Sequence, residues 1–245
     1  MDNIMEYVEL VKAPWGKMFY DLAIIQLDIP KTSRLNILDF GSGLGVISNY
    51  FAEWHYVTAI EPNQEMIDNS HRDNQFTQIH GSIEKLSDFE NDSFDIIICH
   101  NVLEYIEYKE PIIKELLRAL KPNGILSIVK HNRVGRVLHT AVFKNDPEKA
   151  LTILDEYAND KNNYLGTQYI YSNDDLTTWI RKSGGEVVKI MGMRAFYALG
   201  QDNEIKYTDN WYQNTLALEN CVAEIDAYRN AAFLNHVLII KSEVL

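Results

Sequence analysis

The chain reads LNILDFGSGLGV from Leu35 to Val46. The first half, ending at Phe40, is a short apolar run of the kind that forms a strand buried on both faces. Glycines follow at once, and residues 45–53 continue with helical spacing. Glycine permits positive φ angles and lets a ligand approach the backbone, and the N-terminus of a helix presents unpaired N–H groups. The stretch therefore predicts a ligand-binding turn between a buried strand and a helix.

Short apolar runs and helical patterns alternate along the rest of the chain. Such alternation indicates an α/β fold built on a parallel sheet. We expect the helices at about 16–28 and 210–228 to cover the ligand. The other predicted strands lie at about residues 56–60, 77–80, 94–99, 125–129, 186–193 and 233–240. The other predicted helices lie at about residues 64–72, 111–120, 147–159 and 173–183.

A chain of 245 residues with 46% hydrophobic and 24% charged residues has the composition of an ordinary globular protein. We expect one domain over residues 1–245, with a core at about 35–130, an N-terminal helical cap at about 1–34 and a C-terminal, substrate-side region at about 131–245. No run approaches the roughly 18 uncharged apolar residues of a membrane span, and no secretion signal is evident, so we expect a cytoplasmic protein. The net charge of -12 opposes adsorption to nucleic acids or anionic membranes.

The glycine turn distinguishes between two kinds of cofactor. A dinucleotide-binding turn normally continues G-x-G-x-x-G, which would place a glycine where this chain has Val46. The pattern therefore disfavours NAD. S-Adenosylmethionine (SAM) has no pyrophosphate, and it needs only close passage of Gly41, Ser42 and Gly43 beside its amino acid and ribose parts. Asp39, just before the glycines, is compatible with its ammonium group.

Polar residues also follow the next three predicted strands. Glu61 ends the second strand, where a carboxylate can accept hydrogen bonds from both ribose hydroxyls. The segment Gly81-Ser82-Ile83-Glu84 follows the third strand and can bracket an adenine ring. His100 follows the fourth strand, in the crevice where open α/β sheets bind ligands, and can act on the cofactor or the acceptor. The structural alternatives are a solvated acid for Glu61, a capping residue for His100 and, for the glycine turn itself, a plain tight turn.

Two further motifs complete the core: DIIICHNVLEY from Asp95 to Tyr105 and LRALKPNG from Leu117 to Gly124. Together with the glycine turn and Glu61, they resemble the motifs of class I SAM-dependent methyltransferases over residues 35–130. This resemblance implies SAM as the cofactor. It also implies a Rossmann-like, doubly wound sheet of seven mostly parallel strands, with one antiparallel strand at its end.

Three stretches extend the resemblance past this core: HNVLEY from His100, GMRAF from Gly192 and NHVL from Asn235. They look like those of the bacterial tRNA 5-carboxymethoxyuridine methyltransferases, which esterify a carboxylate on a uridine of the anticodon loop. The resemblance implies cofactor contacts by Gly41, Ser42, Glu61, Ile83, Glu84 and His100. Where the relatives have a cofactor-contacting arginine, this chain has Phe19, and the nearby Lys17 is a candidate substitute.

Basic residues supply candidate contacts to the methyl acceptor. Arg194 is the candidate to hold an acceptor carboxylate, because a guanidinium pairs with a carboxylate through two hydrogen bonds; a surface ion pair is the alternative. Lys121, Lys130, Arg133, Arg136 and Lys144 form a relatively basic stretch. Within it, Arg133, Arg136 and Lys144 are candidates to contact RNA phosphates, and a solvated face is the alternative.

Methyl transfer from a sulfonium is an in-line displacement of an activated leaving group, so alignment and desolvation can supply most of the catalysis. A carboxylate acceptor needs no general base, and we expect His100 to position groups first. Cys99 and Cys221 are far apart in the sequence, so we expect neither a disulfide nor a metal site. The leading hypothesis is methylation of a modified tRNA uridine. The alternatives are a methyltransferase for a small carboxylic acid or other metabolite, a non-catalytic SAM-binding regulator and, remotely, an NAD-dependent reductase.

Overall fold

A computed structural model describes residues 2–154, 160–163 and 166–242 of the chain. Seven strands form one sheet, and two short antiparallel strands form a separate sheet. The strands are β1 (Asn36–Phe40), β2 (Tyr56–Glu61), β3 (Thr77–His80), β4 (Phe94–His100), β5 (Leu120–His131), β6 (Asp160–Asn163), β7 (Gly166–Gln168), β8 (Gly185–Met193) and β9 (Leu234–Lys241).

Helices connect these strands and precede the first of them. They are α1 (Asp2–Lys12), α2 (Pro14–Leu27), α3 (Val46–Phe51), α4 (Gln64–Asp68), α5 (Glu110–Ala119), α6 (Arg133–Leu138), α7 (Pro147–Leu154), α8 (Asn173–Lys182), α9 (Asp209–Val222) and α10 (Asp226–Ala231). Short 3₁₀ turns occupy Ile83–Asp88, Leu103–Tyr105 and Ile205–Tyr207, and a π turn occupies His139–Phe143.

The order of strands in the sheet is β3-β2-β1-β4-β5-β9-β8. Neighbouring strands from β3 to β5 are parallel, whereas β9 is antiparallel to both β5 and β8. The predicted α/β fold with seven mostly parallel strands is confirmed. The antiparallel strand lies one position inside the edge rather than at the end. The chain order reverses between β1 and β4, and such a switch point opens a crevice at the carboxyl ends of the strands.

Helices cover both faces of the sheet, as a doubly wound fold requires. On one face, Ile113 of α5 and Ile180 of α8 are buried in the larger core. On the other, Leu22 of α2, Ile47 of α3 and Tyr212 of α9 are buried. Burial of each large apolar side chain contributes about 1.5–3 kcal/mol to the stability of the fold. The two cores therefore fix the positions of β1 and β4 and of the crevice between them.

Several predicted helices differ from those observed. Helix α1 was not predicted, and neither was α6. The predicted helix at 210–228 is two helices, because the carbonyl of Ala223 accepts a hydrogen bond from Gly192 N–H at 2.7 Å instead of continuing the helix. The predicted helix at 147–159 is observed to Leu154, and the remainder lies outside the described residues.

Candidate functional site

The glycine turn lies at the switch point, directly after β1. The φ angles of Gly41, Gly43 and Gly45 are 79°, 54° and 68°, a region that glycine adopts without strain. The N–H groups of Gly41 and Ser42 both donate to the carbonyl of Ile60, at 2.8 and 3.0 Å. The turn is therefore anchored to the end of β2, and its inner face is left open.

Two of these glycines are required for different reasons. A Cβ on Gly41 would lie 2.3 Å from Cγ2 of Val102, so no side chain fits there. A Cβ on Gly43 would meet only the Sδ of Met66, at 3.8 Å, so at this position the positive φ is the constraint. Gly41 thus brings the backbone against the segment that follows β4, which narrows the crevice.

Asp39 is the last polar side chain of β1 and is only 4% exposed. Its Oδ2 accepts a hydrogen bond from Ser48 Oγ at 2.6 Å. Burial raises the pKa of Asp39 to about 6; the Ser48 hydrogen bond opposes the rise and the charge of Glu61 adds to it. A cation bound nearby would favour the ionised carboxylate.

Glu61 faces the glycine turn, as predicted. Its Oε2 accepts a hydrogen bond from Gly43 N–H at 2.8 Å, and its Oε1 accepts one from Asn63 N–H at 2.9 Å. Burial raises the pKa of Glu61, and these two N–H groups act in the opposite direction. Each carboxylate oxygen keeps a further lone pair, which is enough to accept two hydroxyl groups of a ligand.

A cavity of about 610 Å³ lies over the turn. The predicted residues Asp39, Gly41, Ser42, Gly43, Glu61, Ser82 and His100 all line it. Its outer wall comes from the N-terminal helices, through Ile4 and Tyr7 of α1 and Phe19 and Tyr20 of α2. Burial raises the pKa of both Tyr7 and Tyr20, so their hydroxyls stay protonated at neutral pH. Sequence reasoning missed α1, although Ile4, Val8 and Val11 follow helical spacing.

The charge of this cavity selects against anionic ligands. Asp39 and Glu61 are buried in its wall, and Glu65 lies at its rim. Within the described ranges, no lysine or arginine lines it. A pyrophosphate would therefore meet carboxylates without a compensating cation, whereas a ligand that carries an ammonium and a sulfonium group would be attracted.

Three polar atoms in the cavity wall have no hydrogen-bond partner among the described residues: Ser42 Oγ, His100 Nδ1 and Asn101 Oδ1. Buried polar atoms are nearly always paired in folded proteins, so unpaired ones need an explanation. Three such atoms on residues that line one cavity make this cavity the candidate ligand site.

His100 ends β4 and is partly buried in the cavity wall. Its Nε2 lies 2.7 Å from Ser127 Oγ on β5, and its ring packs edge-on against Phe19, with ring centroids 6.4 Å apart. Burial, followed by the influence of His236, holds the pKa of His100 well below its usual range. The ring is therefore neutral at physiological pH.

The segment after β3 is only partly in the cavity. Gly81 and Ser82 line it, whereas Ile83 packs against the larger hydrophobic core. Glu84 is exposed, and its Oε1 accepts a hydrogen bond from Ser82 N–H at 2.8 Å. The predicted cofactor contacts of Ile83 and Glu84 therefore remain predictions, and their side chains lie outside the lining found here.

Phe19 and Lys17, the two residues considered for the cofactor contact predicted near the N-terminus, lie in different places. Phe19 lines the cavity. The Nζ of Lys17 bonds to Asp21 Oδ2 at 2.7 Å and lies 4.0 Å from the centroid of the Tyr212 ring. Lys17 is thus held away from the residues that line the cavity, whereas Phe19 is one of them, and the predicted cofactor contact of either residue remains a prediction.

Arg194 does not line this cavity but a second one, of about 400 Å³. It follows β8 with a φ of 62° and is 1% exposed. Its Nε and Nη1 have no hydrogen-bond partner in the described part of the chain. The guanidinium lies over the rings of Trp15 and Phe233, 4.7 and 5.2 Å from their centroids. Burial lowers the pKa of Arg194 to about 10, so it remains a cation at neutral pH.

Other cationic and aromatic groups surround Arg194. Lys206, His139, Phe143 and Tyr197 line the same cavity. The Nζ of Lys206 lies 4.8 Å from the centroid of the Phe143 ring. A buried guanidinium that lies among aromatic rings, with Nε and Nη1 lacking hydrogen-bond partners among the described residues, is suited to a planar ligand that carries a carboxylate.

Glu219 of α9 fixes the backbone beside Arg194. Its carboxylate accepts hydrogen bonds from the N–H groups of Ala195, Phe196 and Tyr197, at 2.7, 2.8 and 2.8 Å. This is the contribution of α9 to the second cavity. In the described residues, α9 supplies none of the lining of the cavity at the glycine turn, contrary to the predicted cover.

The three basic residues predicted to contact phosphates differ in their exposure to solvent. Arg136 is buried and donates to Gln168 Oε1 at 3.0 Å, so it is not placed to contact phosphates. Lys144 is exposed, and Arg133 is half-buried at the start of α6. Two of the three residues therefore remain at the surface.

Two searches bear on other kinds of site. Across the described ranges, no group of three or more His, Cys, Asp or Glu side chains is arranged to hold a metal ion. The helices in those ranges are all too short or too polar to cross a lipid bilayer. Cys99 is buried and Cys221 is exposed, and both are free thiols.

Residues 38–128 match a family model described as a methyltransferase domain. This segment begins in β1, contains the glycine turn, Glu61 and His100, and ends in β5. The predicted resemblance to SAM-dependent methyltransferases is confirmed for this part of the chain.

Two curated relatives extend the comparison. The chain is 34% identical over 121 residues to a ubiquinone biosynthesis O-methyltransferase of Rickettsia typhi, covering 46% of this chain and 48% of the relative. It is 26% identical over 175 residues to the tRNA 5-carboxymethoxyuridine methyltransferase of Escherichia coli K12, covering 67% of this chain and 64% of the relative. The chain thus spans less than two thirds of the length of either relative.

Solved structures share the fold. A SAM-dependent methyltransferase from Mesorhizobium loti superposes with a TM-score of 0.60 at 17% identity, covering 93% of this chain and 97% of that one. At this identity, the likeness establishes the fold.

Proposed function

We propose that this chain, which carries a methyltransferase domain at residues 38–128, binds SAM at the glycine turn and transfers its methyl group to a carboxylate-bearing acceptor. One observation carries the proposal: a cavity with two buried carboxylates, no lining cation within the described ranges and three unpaired polar atoms. We further propose that residues 1–245 act as a single domain. A cytoplasmic location remains a prediction of the sequence.

We propose a role for each predicted residue, and the lining of the cavity supports those of Asp39, Gly41, Gly43 and Glu61. The backbone of Gly41 and Gly43 passes beside the amino acid and ribose parts, where side chains would not fit or would strain the turn. Asp39 faces the ammonium group, and Glu61 accepts the ribose hydroxyls with its free lone pairs. Ser42, Ser82, Ile83, Glu84 and His100 complete the proposed cofactor contacts.

SAM supplies a methyl group on a sulfonium, which is already an activated leaving group. The protein has to align the acceptor oxygen with that methyl group and to exclude water. The aromatic wall of Phe19, Tyr7 and Tyr20 excludes water on the side of α1 and α2. A carboxylate acceptor brings no proton to remove, so no general base is required.

Arg194 supports the choice of a carboxylate acceptor. Its cavity opens beside Trp15, and Trp15 precedes Phe19 by one turn of α2, a rise of about 6 Å. The two cavities are therefore neighbours along the same helix. We propose a modified uridine of tRNA as the acceptor, with its carboxylate on Arg194 and its ring among the aromatic side chains. Similarity to the E. coli tRNA enzyme over two thirds of this chain supports this reading.

A small carboxylic acid or other metabolite is the second candidate. The net charge of -12 and the burial of Arg136 reduce the surface available for RNA phosphates. The similarity to ubiquinone biosynthesis methyltransferases also favours a small acceptor. The two candidates share the cofactor site and differ in the need for phosphate contacts at Arg133 and Lys144.

Calorimetry with SAM and its demethylated product tests the cofactor site. We expect binding by the wild type and about a tenfold loss with Glu61→Gln, because the amide replaces one acceptor oxygen with a donor. Glu148→Gln, an exposed change on α7, is the matched control and should bind normally. Absence of binding by the wild type would refute the proposal.

The acceptor is tested by incubating the protein with radiolabelled SAM and either total tRNA or a mixture of small carboxylic acids. Label in tRNA as a base-labile ester, lost with Arg194→Met, supports the uridine carboxylate. Label only in small molecules, together with no tRNA gel shift at low salt, would exclude RNA as the methyl acceptor. SAM binding with no label in either fraction indicates a non-catalytic binding protein.

A further inference from the structure

A chain of four buried or partly buried side chains runs from the cavity wall through the sheet to α2. His100 Nε2 lies 2.7 Å from Ser127 Oγ, which lies 2.7 Å from His236 Nε2. His236 Nδ1 lies 3.0 Å from Gln26 Oε1, and Gln26 Nε2 donates to the carbonyl of Gly192 at 3.0 Å. Ser127 and His236 are fully buried, so water does not complete these contacts.

The last contact determines the direction of every other hydrogen bond. A carbonyl only accepts, so the amide nitrogen of Gln26 must face Gly192 and its oxygen must face His236. His236 then carries its proton on Nδ1, and its bare Nε2 accepts the hydroxyl proton of Ser127. The Ser127 oxygen in turn accepts from His100, which therefore carries its proton on Nε2 and leaves Nδ1 bare.

Charged forms of the two rings are excluded by their surroundings. Burial lowers the pKa of His236 to about 3, and burial together with His236 lowers that of His100. The ring centroids lie 5.4 Å apart, so a charge on one would oppose a charge on the other. With both rings neutral, the opposite direction of bonding would point the Gln26 oxygen at the Gly192 oxygen.

We propose that Gln26, His236 and Ser127 are positioning residues that hold His100 as the uncharged Nε2–H tautomer, with its Nδ1 as a hydrogen-bond acceptor at the ligand cavity. The inference deepens the proposed function and rests on it for the identity of the ligand. An uncharged imidazole does not repel a sulfonium or ammonium group, and the unpaired Nδ1 can accept a hydrogen bond from a bound ligand.

These four hydrogen-bonded side chains also connect the wall of the ligand cavity to the segment that carries Arg194. Gln26 lies on α2, which carries Phe19 of the cavity wall, and Gly192 lies two residues before Arg194. A shift of α2 relative to β8 would break the contact that directs the protons. The tautomer of His100 therefore depends on how the N-terminal helices are packed.

Nuclear magnetic resonance tests the inference directly in the ligand-free protein. Long-range ¹H–¹⁵N spectra of the ¹⁵N-histidine-labelled chain, at neutral pH, distinguish bare from protonated ring nitrogens. Assignment among the seven histidines uses His100→Gln and His236→Gln. We expect a proton on Nε2 of His100 and on Nδ1 of His236, the less common form of a free histidine. A proton on Nε2 of His236 would overturn the proposal.

Gln26→Met removes the directing amide while keeping an unbranched side chain. We expect the His236 proton to move to Nε2 and, in a substantial part of the population, the His100 proton to move to Nδ1. Each ring then loses one proton and gains one, with no net uptake. A His100 spectrum identical to that of the wild type would refute the coupling.

Ligand binding separates this inference from the proposed function. Gln26→Met should bind S-adenosylhomocysteine about three- to tenfold more weakly, the value of one neutral hydrogen bond, whereas the exposed Gln213→Met should bind normally. Equal affinity of wild type and Gln26→Met would refute the role of Nδ1 as an acceptor. Absence of binding by the wild type, with the expected tautomers present, would instead remove the proposed cofactor.

Discussion

Asp39→Asn should stabilise the ligand-free protein while weakening its binding of SAM. The carboxyl group of Asp39 is buried and accepts a hydrogen bond from Ser48 Oγ at 2.6 Å. An asparagine oxygen can accept the same bond. The substitution therefore removes the cost of burying a charge and retains the contact that positions the side chain.

The magnitude follows from the pKa of Asp39. Burial raises this pKa from 3.8 to about 6, and the difference corresponds to about 3 kcal/mol of unfolding free energy. Because the folded-state pKa is raised, the protonated carboxyl group stabilises the fold. This contribution is fully present below the unfolded-state pKa of 3.8 and is lost as the pH rises through about 6. Asp39→Asn should be more stable by about 3 kcal/mol at pH 8, by about half that at pH 5, and by nothing below the unfolded-state pKa.

Urea unfolding at pH 8, 5 and 3.5 measures this difference. Asp95→Asn is the matched control, because hydrogen bonds from Lys121 and from Asn36 N–H outweigh burial and lower the pKa of Asp95. Its substitution should lower the free energy of unfolding at pH 8. The two asparagine variants are therefore expected to shift stability in opposite directions.

Asp39→Asn should also weaken the binding of SAM. A charge-assisted hydrogen bond between Asp39 and the SAM ammonium group is worth about 1.5–3 kcal/mol, so Asp39→Asn should bind about ten- to a hundredfold more weakly. Wild-type affinity should also fall as pH drops below about 6, where Asp39 gains a proton. Equal stability of Asp39→Asn and the wild type at pH 8, or a gain in stability that is the same at pH 3.5, would contradict this prediction.

Three further predictions concern the walls of the two cavities. Gly41→Ala should lower the free energy of unfolding by about 3 kcal/mol or more, measured by chemical unfolding, and abolish SAM binding. Gly184 also has a positive φ, but an added Cβ would meet no atom there, so Gly184→Ala should cost only about 1 kcal/mol. Glu219→Gln should cost about 2 kcal/mol and reduce methyl transfer without changing SAM affinity in calorimetry; unchanged transfer would contradict the role of the loop beside Arg194. Lys17→Met should leave SAM affinity unchanged and Phe19→Ala should weaken it, and the reverse order would show that Lys17 replaces the relatives' arginine.

The parts of the fold that were predictable are those set by local pattern. Apolar runs such as residues 94–99 and 125–129 can be satisfied only in a buried sheet, and the glycine turn and Glu61 follow two of the strands directly. Their proximity follows from parallel pairing, because β1 and β2 align Phe40 with Ile60 and bring both carboxyl ends to one edge. The confirmed fold and the position of Glu61 both depend on this rule.

The rest depends on contacts between segments that are distant in sequence. Arg194 and Trp15 are separated by most of the chain, and nothing in GMRAF indicates that its arginine is buried under aromatic rings. The direction of the hydrogen bonds at His100 is likewise set by Gln26 through His236. Arg136, a predicted candidate for phosphate contact, is instead buried and hydrogen-bonded to Gln168.

The position of β9 constrains the order in which the sheet can be completed during synthesis. This strand follows β8 along the chain yet lies between β5 and β8, and it pairs with both. While residues 234–241 are still to be made, β5 exposes one unpaired edge, and β8, which pairs only with β9 in this sheet of the described residues, is unpaired along both edges. A nascent chain that stalls before Leu234 would therefore present open strand edges on both β5 and β8, the kind of surface from which aggregation starts.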